Sequence, residues 1–282
     1  MTLAGAVCRQ PRRVVKLGET VVLVPETASS VPERWLPEAL PLQILHEDEA
    51  LLVVDKPAGL VVHPAAGHAG GTLVNALLHH HPPLEALPRA GIVHRLDKDT
   101  TGLMVVAKTL EAHAVLVAAL QAREVHRAYE AVVVGVMTGG GKVDAAIGRH
   151  PTDRKRMAVR PQGGKTAVTH YRVLERFRAH SRIRVRLETG RTHQIRVHMA
   201  HRGYPLVGDP VYGGRLRLPR GASEELIRTL RGFRRQALHA ARLELAHPLS
   251  GEWMGWRSPL PVDMAALLEA LRQDAQAQEG AG

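Results

Sequence analysis

Residues 182–187 alternate strictly between arginine and aliphatic side chains, in the order Arg182, Ile183, Arg184, Val185, Arg186 and Leu187. Successive side chains of a β-strand point to opposite faces of the sheet, so a strict period of two predicts a strand. The pattern places the three aliphatic side chains on one face and the three arginines on the other. This segment therefore predicts a strand with an apolar face and a charged face.

Other apolar runs predict further strands and amphipathic helices. The predicted strands cover residues 51–54, 103–107, 128–134, 167–174, 182–187 and 240–245. The predicted helices cover residues 72–80, 111–123 and a segment after Pro261 whose buried face carries Met264, Leu267, Leu268 and Leu271. Helices interspersed irregularly among hairpin-like strands predict an α+β domain with a mixed, mostly antiparallel sheet flanked by helices.

The chain divides into three predicted regions. Residues 1–26 predict short strands and turns, with valines on both sides of the turn Lys16-Leu-Gly-Glu. This pattern resembles the C-terminal half of an S4 RNA-binding domain, with a plain N-terminal hairpin as an equal alternative. The helical first half of such a domain is missing, so either the true start lies upstream or this S4-like segment is abbreviated. Residues 27–40 contain Pro32 and Pro37 and predict a linker. Residues 41–282 form the main predicted domain.

The charge of the chain points to a polyanionic partner. There are 38 Lys and Arg residues against 27 Asp and Glu, which gives a formal charge of +11 at pH 7. The uncharged stretch 57–84 holds prolines, glycines and five histidines, so it predicts turns and not a membrane span. The N-terminus lacks a signal-peptide pattern, and the single Cys8 agrees with a reducing compartment. We therefore expect a cytoplasmic protein.

Two motifs carry the chemistry of this chain. The first, from Gly91 to Gly102, reads GIVHRLDKDTTG, and the second, from Leu187 to Arg196, reads LETGRTHQIR. Together they resemble the catalytic motifs of the RluA family of pseudouridine synthases, in which an Asp and an Arg from distant parts of the chain meet over a uridine flipped out of RNA. The resemblance extends over almost the whole chain. It implies the pseudouridine synthase fold, with residues 41–282 as the catalytic domain.

The resemblance also implies a reaction. Uridine becomes pseudouridine when the bond from the sugar to N1 breaks, the uracil turns, and the base is rejoined through C5. No redox step or group transfer is involved, so no cofactor is expected. The site needs a carboxylate at the sugar, a cation to hold it, and a flat surface for the detached base. Asp97 matches the family carboxylate, and whether it attacks the anomeric carbon or removes the 2′ proton stays open.

Arg191 is the predicted partner of Asp97. It lies in the second motif, and an arginine beside a carboxylate favours the ionised form and fixes its geometry. Arg196, on the helix predicted to follow, is the competing candidate. We expect Arg196 to contact phosphate or to pack within the structure.

The same resemblance assigns further residues. Tyr129 matches the family tyrosine that stacks on the target base, an interaction worth about 1–3 kcal/mol. Arg95 resembles the arginine that enters the gap left by the flipped nucleotide and offsets part of the extrusion cost. Leu187 and Ile195 are expected to wall the base pocket, although apolar residues at such positions are core by default.

The arginine-rich segment from Arg215 to Arg235, with Arg215 and Arg217 at its start, is interpreted as an RNA-binding loop and short helix. A solvated charged face is the alternative. The resemblance implies 23S rRNA or the assembling large ribosomal subunit as partner, several uridines of one hairpin loop as targets, and a monomer. A synthase for another rRNA or tRNA site and a non-catalytic RNA-binding assembly factor are the competing hypotheses.

Two other motifs predict no site. The run His79 to His81 contains possible metal ligands, but adjacent histidines do not converge on one ion without further ligands. The run Thr138 to Lys142 is glycine-rich, yet it lacks the spacing of a phosphate-binding loop. The sequence therefore predicts neither a metal nor a nucleotide cofactor.

Overall fold

A long, mostly antiparallel sheet organises the larger part of the chain. The structure, a computed structural model, describes residues 2–3, 6–7, 14–22, 35–64, 70–153 and 156–279. The chain divides into two units, Met1–Trp35 and Leu36–Gly282. The division falls inside the predicted linker, residues 27–40, most of which lies outside the described residues.

The N-terminal unit contains a small antiparallel sheet. Its strands are β1 (Thr2–Leu3), β2 (Ala6–Val7) and β3 (Val21–Val22), in the order β2-β1-β3. A turn precedes β3, where the Glu19 amide donates to the Lys16 carbonyl at 3.1 Å. These elements agree with the predicted short strands and turn, while the S4-like assignment of residues 1–26 stays a prediction.

The strands of the C-terminal unit form one large sheet and one separate pair. They are β4 (Gln43–Glu47), β5 (Leu51–Lys56), β6 (Thr101–Ala107), β7 (His126–Val134), β8 (Gly141–Asp144), β9 (Ile147–Arg149), β10 (Met157–Val159), β11 (Val168–Arg176), β12 (His180–Leu187), β13 (Leu238–Ala246) and β14 (Trp253–Arg257). The large sheet has the order β4-β5-β6-β13-β7-β12-β11-β8, with β14 also paired to β13, while β9 pairs with β10. Its pairs are antiparallel except for β6 with β13.

Helices pack against this sheet. They are α1 (Leu73–His80), α2 (Leu110–Ala122), α3 (Gln194–His201), α4 (Glu224–Gly232) and α5 (Val262–Glu279), with two short 3₁₀ helices at Pro82–Ala86 and Pro88–Gly91. The side chain of Thr72 caps α1 by accepting from the Asn75 amide. No helix in the described part of the chain is long and apolar enough to cross a membrane.

Two apolar clusters join the helices to the sheet. In the first, Ala112 and Leu116 of α2 pack with buried residues of β5, β6 and β13. In the second, α4 and α5 pack together with Val132 of β7. The predicted buried face of α5 is confirmed, because all four of its residues are at most 2% exposed: Met264, Leu267, Leu268 and Leu271.

The predicted α+β class and mostly antiparallel sheet are confirmed. All six predicted strands are present, and their ends agree with the structure within two residues. In β12 the alternation is as predicted, since Ile183 and Val185 are fully buried and Arg184 and Arg186 are exposed. The prediction misses β4, β8, β9, β10 and β14. Each of these short strands has at most one buried residue, so it leaves little hydrophobic pattern to detect.

The parallel pairing of β6 with β13 explains the glycine that ends the first motif. Thr101 pairs with His239, and Gly102 pairs with Ala240. Gly102 has a φ of +110°, and a Cβ there would lie 2.3 Å from the Ala240 carbonyl oxygen. A residue without Cβ is therefore required where the two strands approach.

We expect Gly102→Ala to lower the free energy of unfolding by about 2–6 kcal/mol, since backbone strain costs about 1–3 kcal/mol and overpacking about 1–3 kcal/mol. Urea denaturation measures the difference. Gly139→Ala is the matched control, because a Cβ at Gly139 meets nothing within 4 Å and its φ is not positive. Equal stabilities of the two variants would contradict this account of the motif.

Candidate active site

A cavity of about 560 Å³ brings the two sequence motifs together. Its walls come from the segment before β6, the end of α2, the start of β7 and the segment that joins β12 to α3. Seven of the nine predicted site residues line it: Arg95, Asp97, Tyr129, Leu187, Arg191, Ile195 and Arg196. The volume falls within the usual range of ligand pockets, about 300–1,000 Å³.

Asp97 lies in a tight turn that leads into β6. The Thr100 amide donates to the Asp97 carbonyl at 3.1 Å and closes the turn. Leu96 is buried in the core, and the Thr100 hydroxyl accepts from the Gln236 side chain at 3.0 Å. The turn is thus anchored on both sides of Asp97, whose side chain is 18% exposed.

Lys56, at the end of β5, supports the same turn. Its side chain is buried, and the ammonium donates to the Lys98 carbonyl at 2.8 Å and to two further carbonyls at 2.8 and 3.0 Å. Burial lowers the pKa of Lys56 to about 8, although the charges of Asp99 and Asp97 act in the opposite direction. The lysine therefore binds the backbone of the turn and stays mostly protonated at neutral pH.

Arg196 binds two carboxylates from the first turn of α3. Its Nε and Nη2 donate to the two oxygens of Asp209 at 2.7 and 2.9 Å, and its Nη1 donates to Asp97 Oδ2 at 3.0 Å. Burial disfavours the charged guanidinium, but the two carboxylates raise the pKa of Arg196 above its ordinary value. The partner of Asp97 is therefore Arg196, and the prediction that Arg191 takes this position is wrong.

Arg191 lies in the loop before α3 and is exposed at the cavity. Its Nε donates to the Thr166 carbonyl at 3.0 Å, and its amide donates to the Gln194 side chain at 2.9 Å. Gln194 is buried and itself donates to the Val168 carbonyl at 3.0 Å, so the loop is tied to the start of β11. The Arg191 guanidinium thus binds a main-chain carbonyl. The helix that follows the loop places Arg196 next to Asp97.

Asp209 and Tyr212, which are not among the residues predicted from the sequence, complete the site. Asp209 is buried, and its Oδ1 also accepts from the amides of Val211 and Tyr212 at 2.9 and 3.0 Å. Burial opposes ionisation of Asp209, yet the bonds from Arg196 and from these amides bring its pKa below the ordinary value. The Tyr212 ring centre lies 5.1 Å from the guanidinium carbon of Arg196, a cation–π distance.

His193 borders the carboxylate of Asp97. Its Nδ1 lies 2.8 Å from the Tyr212 hydroxyl, and its Nε2 lies 3.9 Å from Asp97 Oδ1. Burial lowers the pKa of His193, which favours the neutral ring, while the charge of Asp97 opposes this shift. The residue has φ of 56° and ψ of 21°, and such left-handed backbone costs about 1–3 kcal/mol and persists only where surrounding contacts enforce it.

The remaining predicted residues occupy different parts of the cavity. Tyr129 is almost fully buried in β7, and burial raises the pKa of its hydroxyl. Ile195 is buried and Leu187 is half-buried in the wall, while Arg95 is exposed. The cavity thus has apolar and aromatic walls beside the carboxylate of Asp97.

The arginine-rich segment before β13 has two different parts. Arg215 and Arg217 are exposed and do not line the cavity. Arg235 is buried, binds both oxygens of Asp263 at 2.6 and 2.7 Å, and donates to the Asp99 carbonyl at 3.2 Å. The interpretation of the whole segment as an RNA-binding element is therefore wrong for Arg235, which holds the turn of Asp97 in place.

Positive charge dominates the lining of the cavity. Six arginines line it against two acidic residues: Arg89, Arg95, Arg123, Arg127, Arg191 and Arg196 against Asp97 and Glu188. Within the described ranges, no three His, Cys, Asp or Glu side chains are grouped to hold a metal ion. The cavity is suited to an anionic ligand.

Comparison with known proteins gives concordant results. The family model described as RNA pseudouridylate synthase matches residues 50–201. The chain is 64% identical over 280 residues to the ribosomal large subunit pseudouridine synthase D of Pseudomonas aeruginosa, with 99% of this chain and 86% of that protein covered. It is 59% identical over 270 residues to the protein of the same name from Escherichia coli strain K12, with 96% and 82% covered.

A solved structure has a related fold. Human RNA pseudouridylate synthase domain containing 4 superposes with a TM-score of 0.64 at 29% sequence identity. The match covers 82% of this chain and 93% of the human chain. The similarity in fold therefore spans most of both chains.

We expect Arg196→Met to lower the free energy of unfolding by about 3–5 kcal/mol at neutral pH, because it leaves Asp209 buried without its cation. The lowered pKa of Asp209 gives a stabilisation that is present at neutral pH and lost as the pH falls through that pKa. The difference from the wild type should therefore shrink in acid. Thermal and urea unfolding between pH 7 and pH 3 measure it.

Arg191→Met is the matched control for this experiment, since Arg191 is exposed and makes no ion pair with the described residues. Its effect should stay within about 0.5 kcal/mol, as for most surface substitutions. A larger loss from Arg191→Met than from Arg196→Met would contradict this role of Arg196.

Proposed function

Since the chain belongs to the RNA pseudouridylate synthase family, we propose that it isomerises uridine to pseudouridine in large-subunit rRNA, with Asp97 as its catalytic carboxylate. It is an RNA pseudouridine synthase, and the family assignment carries that activity. We choose Asp97 as the catalytic carboxylate because of its position: Arg196 holds it inside an arginine-lined cavity.

Asp97 is suited to act on the sugar because one of its oxygens is held and the other is available. Arg196 holds Oδ2 at 3.0 Å, whereas the nearest described partner of Oδ1 is His193 at 3.9 Å, which is beyond hydrogen-bond range. Attack on C1′ and removal of the 2′ proton both start from an ionised carboxylate. Arg196 is the proposed positioning residue for either route, in place of Arg191.

The detached uracil needs a surface that retains it while it turns. We assign stacking to Tyr129 and the apolar walls to Leu187 and Ile195, because all three line the cavity that holds Asp97. During the reaction the bond from N1 to C1′ breaks and N1 takes up a proton. C5 forms the new bond to C1′ and loses its proton to solvent or to a neighbouring group. The isomerisation therefore has no net proton change and consumes no co-reactant.

Arginines at the cavity are proposed to hold the flipped nucleotide in RNA. Arg95 is exposed beside Asp97 in sequence, which supports its insertion into the gap that the nucleotide leaves. Arg191 also lines the cavity and is proposed to bind phosphate. Arg215 and Arg217 are exposed outside the cavity and are suited to contacts with more distant phosphates.

The proposed substrate is one hairpin loop of 23S rRNA, modified at several uridines during assembly of the large subunit. The names of the relatives, which are 59–64% identical over nearly the whole chain, support a large-subunit target. A loop is also physically favourable, because its bases are partly unstacked and less energy is needed to flip them.

We expect Asp97→Asn to abolish pseudouridine formation on an rRNA transcript while it leaves RNA affinity within about threefold, because phosphate contacts and chemistry lie on different residues. Asp99→Asn is the control, since Asp99 lies in the same turn and holds Arg235 through its backbone carbonyl. Tritium release from C5-labelled uridine and filter binding give the two readouts. Turnover by Asp97→Asn near the wild-type rate would refute the assignment.

We expect cells that lack this protein to lose more than one pseudouridine within a single loop of 23S rRNA. Chemical mapping of pseudouridines in rRNA and tRNA from deletion and complemented strains measures this. Complementation with Asp97→Asn should not restore the modification. Loss at another rRNA or tRNA site, with the 23S loop fully modified, would refute the proposed substrate and leave the proposed chemistry intact.

A further inference from the structure

His193 lies beside the oxygen of Asp97 that Arg196 does not hold, and the proposed reaction assigns it no role. Its side chain is 20% exposed and lines the cavity that contains Asp97. Nε2 of His193 forms no hydrogen bond with any residue that the structure describes, and it is not a buried atom. This nitrogen is therefore accessible to a ligand in the cavity.

The hydrogen bonds of Tyr212 determine which nitrogen of His193 carries the proton. The Tyr212 hydroxyl accepts from the Met157 amide at 2.9 Å and lies 2.8 Å from His193 Nδ1. A tyrosine hydroxyl has one proton to donate, and among the described residues Nδ1 is the acceptor within its reach. Nδ1 therefore accepts that proton, and Nε2 carries the hydrogen of the neutral ring. A protonated ring also carries a hydrogen on Nε2.

One buried carboxylate supports the groups on both sides of Asp97. Asp209 binds the guanidinium of Arg196 and also accepts from the Tyr212 amide at 3.0 Å. Arg196 then reaches one oxygen of Asp97, while Tyr212 holds His193 next to the other. The left-handed backbone of His193 is uncommon outside glycine, and such strain clusters at active sites. The same network thus positions the His193 ring and the catalytic carboxylate.

The gap between His193 and Asp97 has the size of one hydroxyl group. Nε2 and Oδ1 are 3.9 Å apart, which is too far for a direct hydrogen bond. An oxygen about 2.9 Å from Nε2 and about 2.7 Å from Oδ1 makes an ordinary hydrogen bond to each. It fits because these two lengths together exceed the gap. Such an oxygen must accept from Nε2 and donate to the carboxylate, as a hydroxyl does.

We propose that His193 Nε2 donates a hydrogen bond to the 2′-hydroxyl of the bound target uridine, and that this hydroxyl donates to Asp97 Oδ1 before the chemical step. The inference rests on the proposed function, in which Asp97 acts at C1′ or at the 2′ proton. In both routes the edge of the sugar formed by C1′ and C2′ faces Oδ1, and the 2′-hydroxyl is attached to C2′. His193 therefore selects ribose over deoxyribose and holds the sugar against the carboxylate.

Other groups of the nucleotide do not meet the same requirement. The ring oxygen of the sugar and the carbonyl oxygens of uracil accept hydrogen bonds but have no proton to donate. The 3′ and 5′ oxygens are esterified within an RNA chain, so the 2′-hydroxyl is the sugar group that both accepts and donates. The N3 edge of uracil offers a donor beside an acceptor, but it would hold Asp97 at the base and away from the sugar.

The test compares two RNA hairpins that differ only in uridine or 2′-deoxyuridine at the target position. Both are bound to Asp97→Asn, so that neither is converted, and the amide oxygen of the new side chain still accepts from the hydroxyl. We expect deoxyuridine to weaken binding about 10-fold. Addition of His193→Asn should reduce this ratio to about twofold, because the shorter side chain does not reach the hydroxyl. Filter binding measures the ratio, from which effects of the sugar conformation cancel.

Three further variants separate a contact with the substrate from a structural role. Thr192→Ala is the matched control, since Thr192 is exposed, lines the same cavity and precedes His193, and its ratio should stay unchanged. His193→Gln keeps a side-chain donor and should restore part of the ratio. Tyr212→Phe removes the hydroxyl that directs the proton to Nε2 and should lower the ratio. His193→Asn should melt no lower than its parent, because asparagine tolerates left-handed backbone.

A ratio that stays unchanged in His193→Asn, or a ratio near one in the parent, would overturn the inference. Equal losses of affinity for the two hairpins would likewise assign His193 a structural role. The proposed function is tested separately by tritium release from the uridine hairpin with the wild-type enzyme. Turnover together with an unchanged ratio would overturn the role of His193 alone. Absent turnover would refute the proposed function, while a ratio that depends on His193 would still support recognition of the ribose.

Discussion

The geometry of the site depends on one guanidinium held between two carboxylates. Asp209 takes two hydrogen bonds from Arg196 and is itself fixed by two backbone amides, so the plane of the guanidinium has a single orientation. Nη1 is then left to meet Asp97. Buried ion pairs add little net stability, because desolvation of the charges offsets their attraction. The network therefore contributes orientation more than stability.

The turn that carries Asp97 is held mainly through its backbone. Lys56 binds the Lys98 carbonyl, Arg235 binds the Asp99 carbonyl, and the side chain of Gln236 binds Thr100. These three contacts come from β5 and from the segment before β13, and none of them involves the carboxylate of Asp97. A rigid support of this kind positions a reactive group without occupying it.

The sequence predicts strands well where burial alternates, and it predicts the site in part. The six strong strands are found because their hydrophobic pattern is local, and the first motif indicates Asp97, which lines the cavity. Arg191 and Arg196 both stand in the second motif, and only the start of α3 between them determines which one reaches Asp97. Asp209 lies between Gly208 and Pro210, a pattern that predicts only a turn. It is 209 − 97 = 112 residues from Asp97, whose carboxylate it supports through Arg196. Such pairings are tertiary contacts, and they produce no periodic pattern in the sequence.

The parallel contact of β6 with β13 has a consequence for the order of events during synthesis. The Thr101 hydroxyl meets His239 across 138 residues, and Ser258 binds Asp55 across 203. Domains generally fold as units during synthesis, and a long-range pair must wait for its later partner. Lys56 precedes the Asp97 turn in the chain, whereas Arg235 and Gln236 support the turn only after the segment before β13 has been synthesised. The turn that presents the carboxylate is thus completed by residues synthesised more than a hundred positions after it.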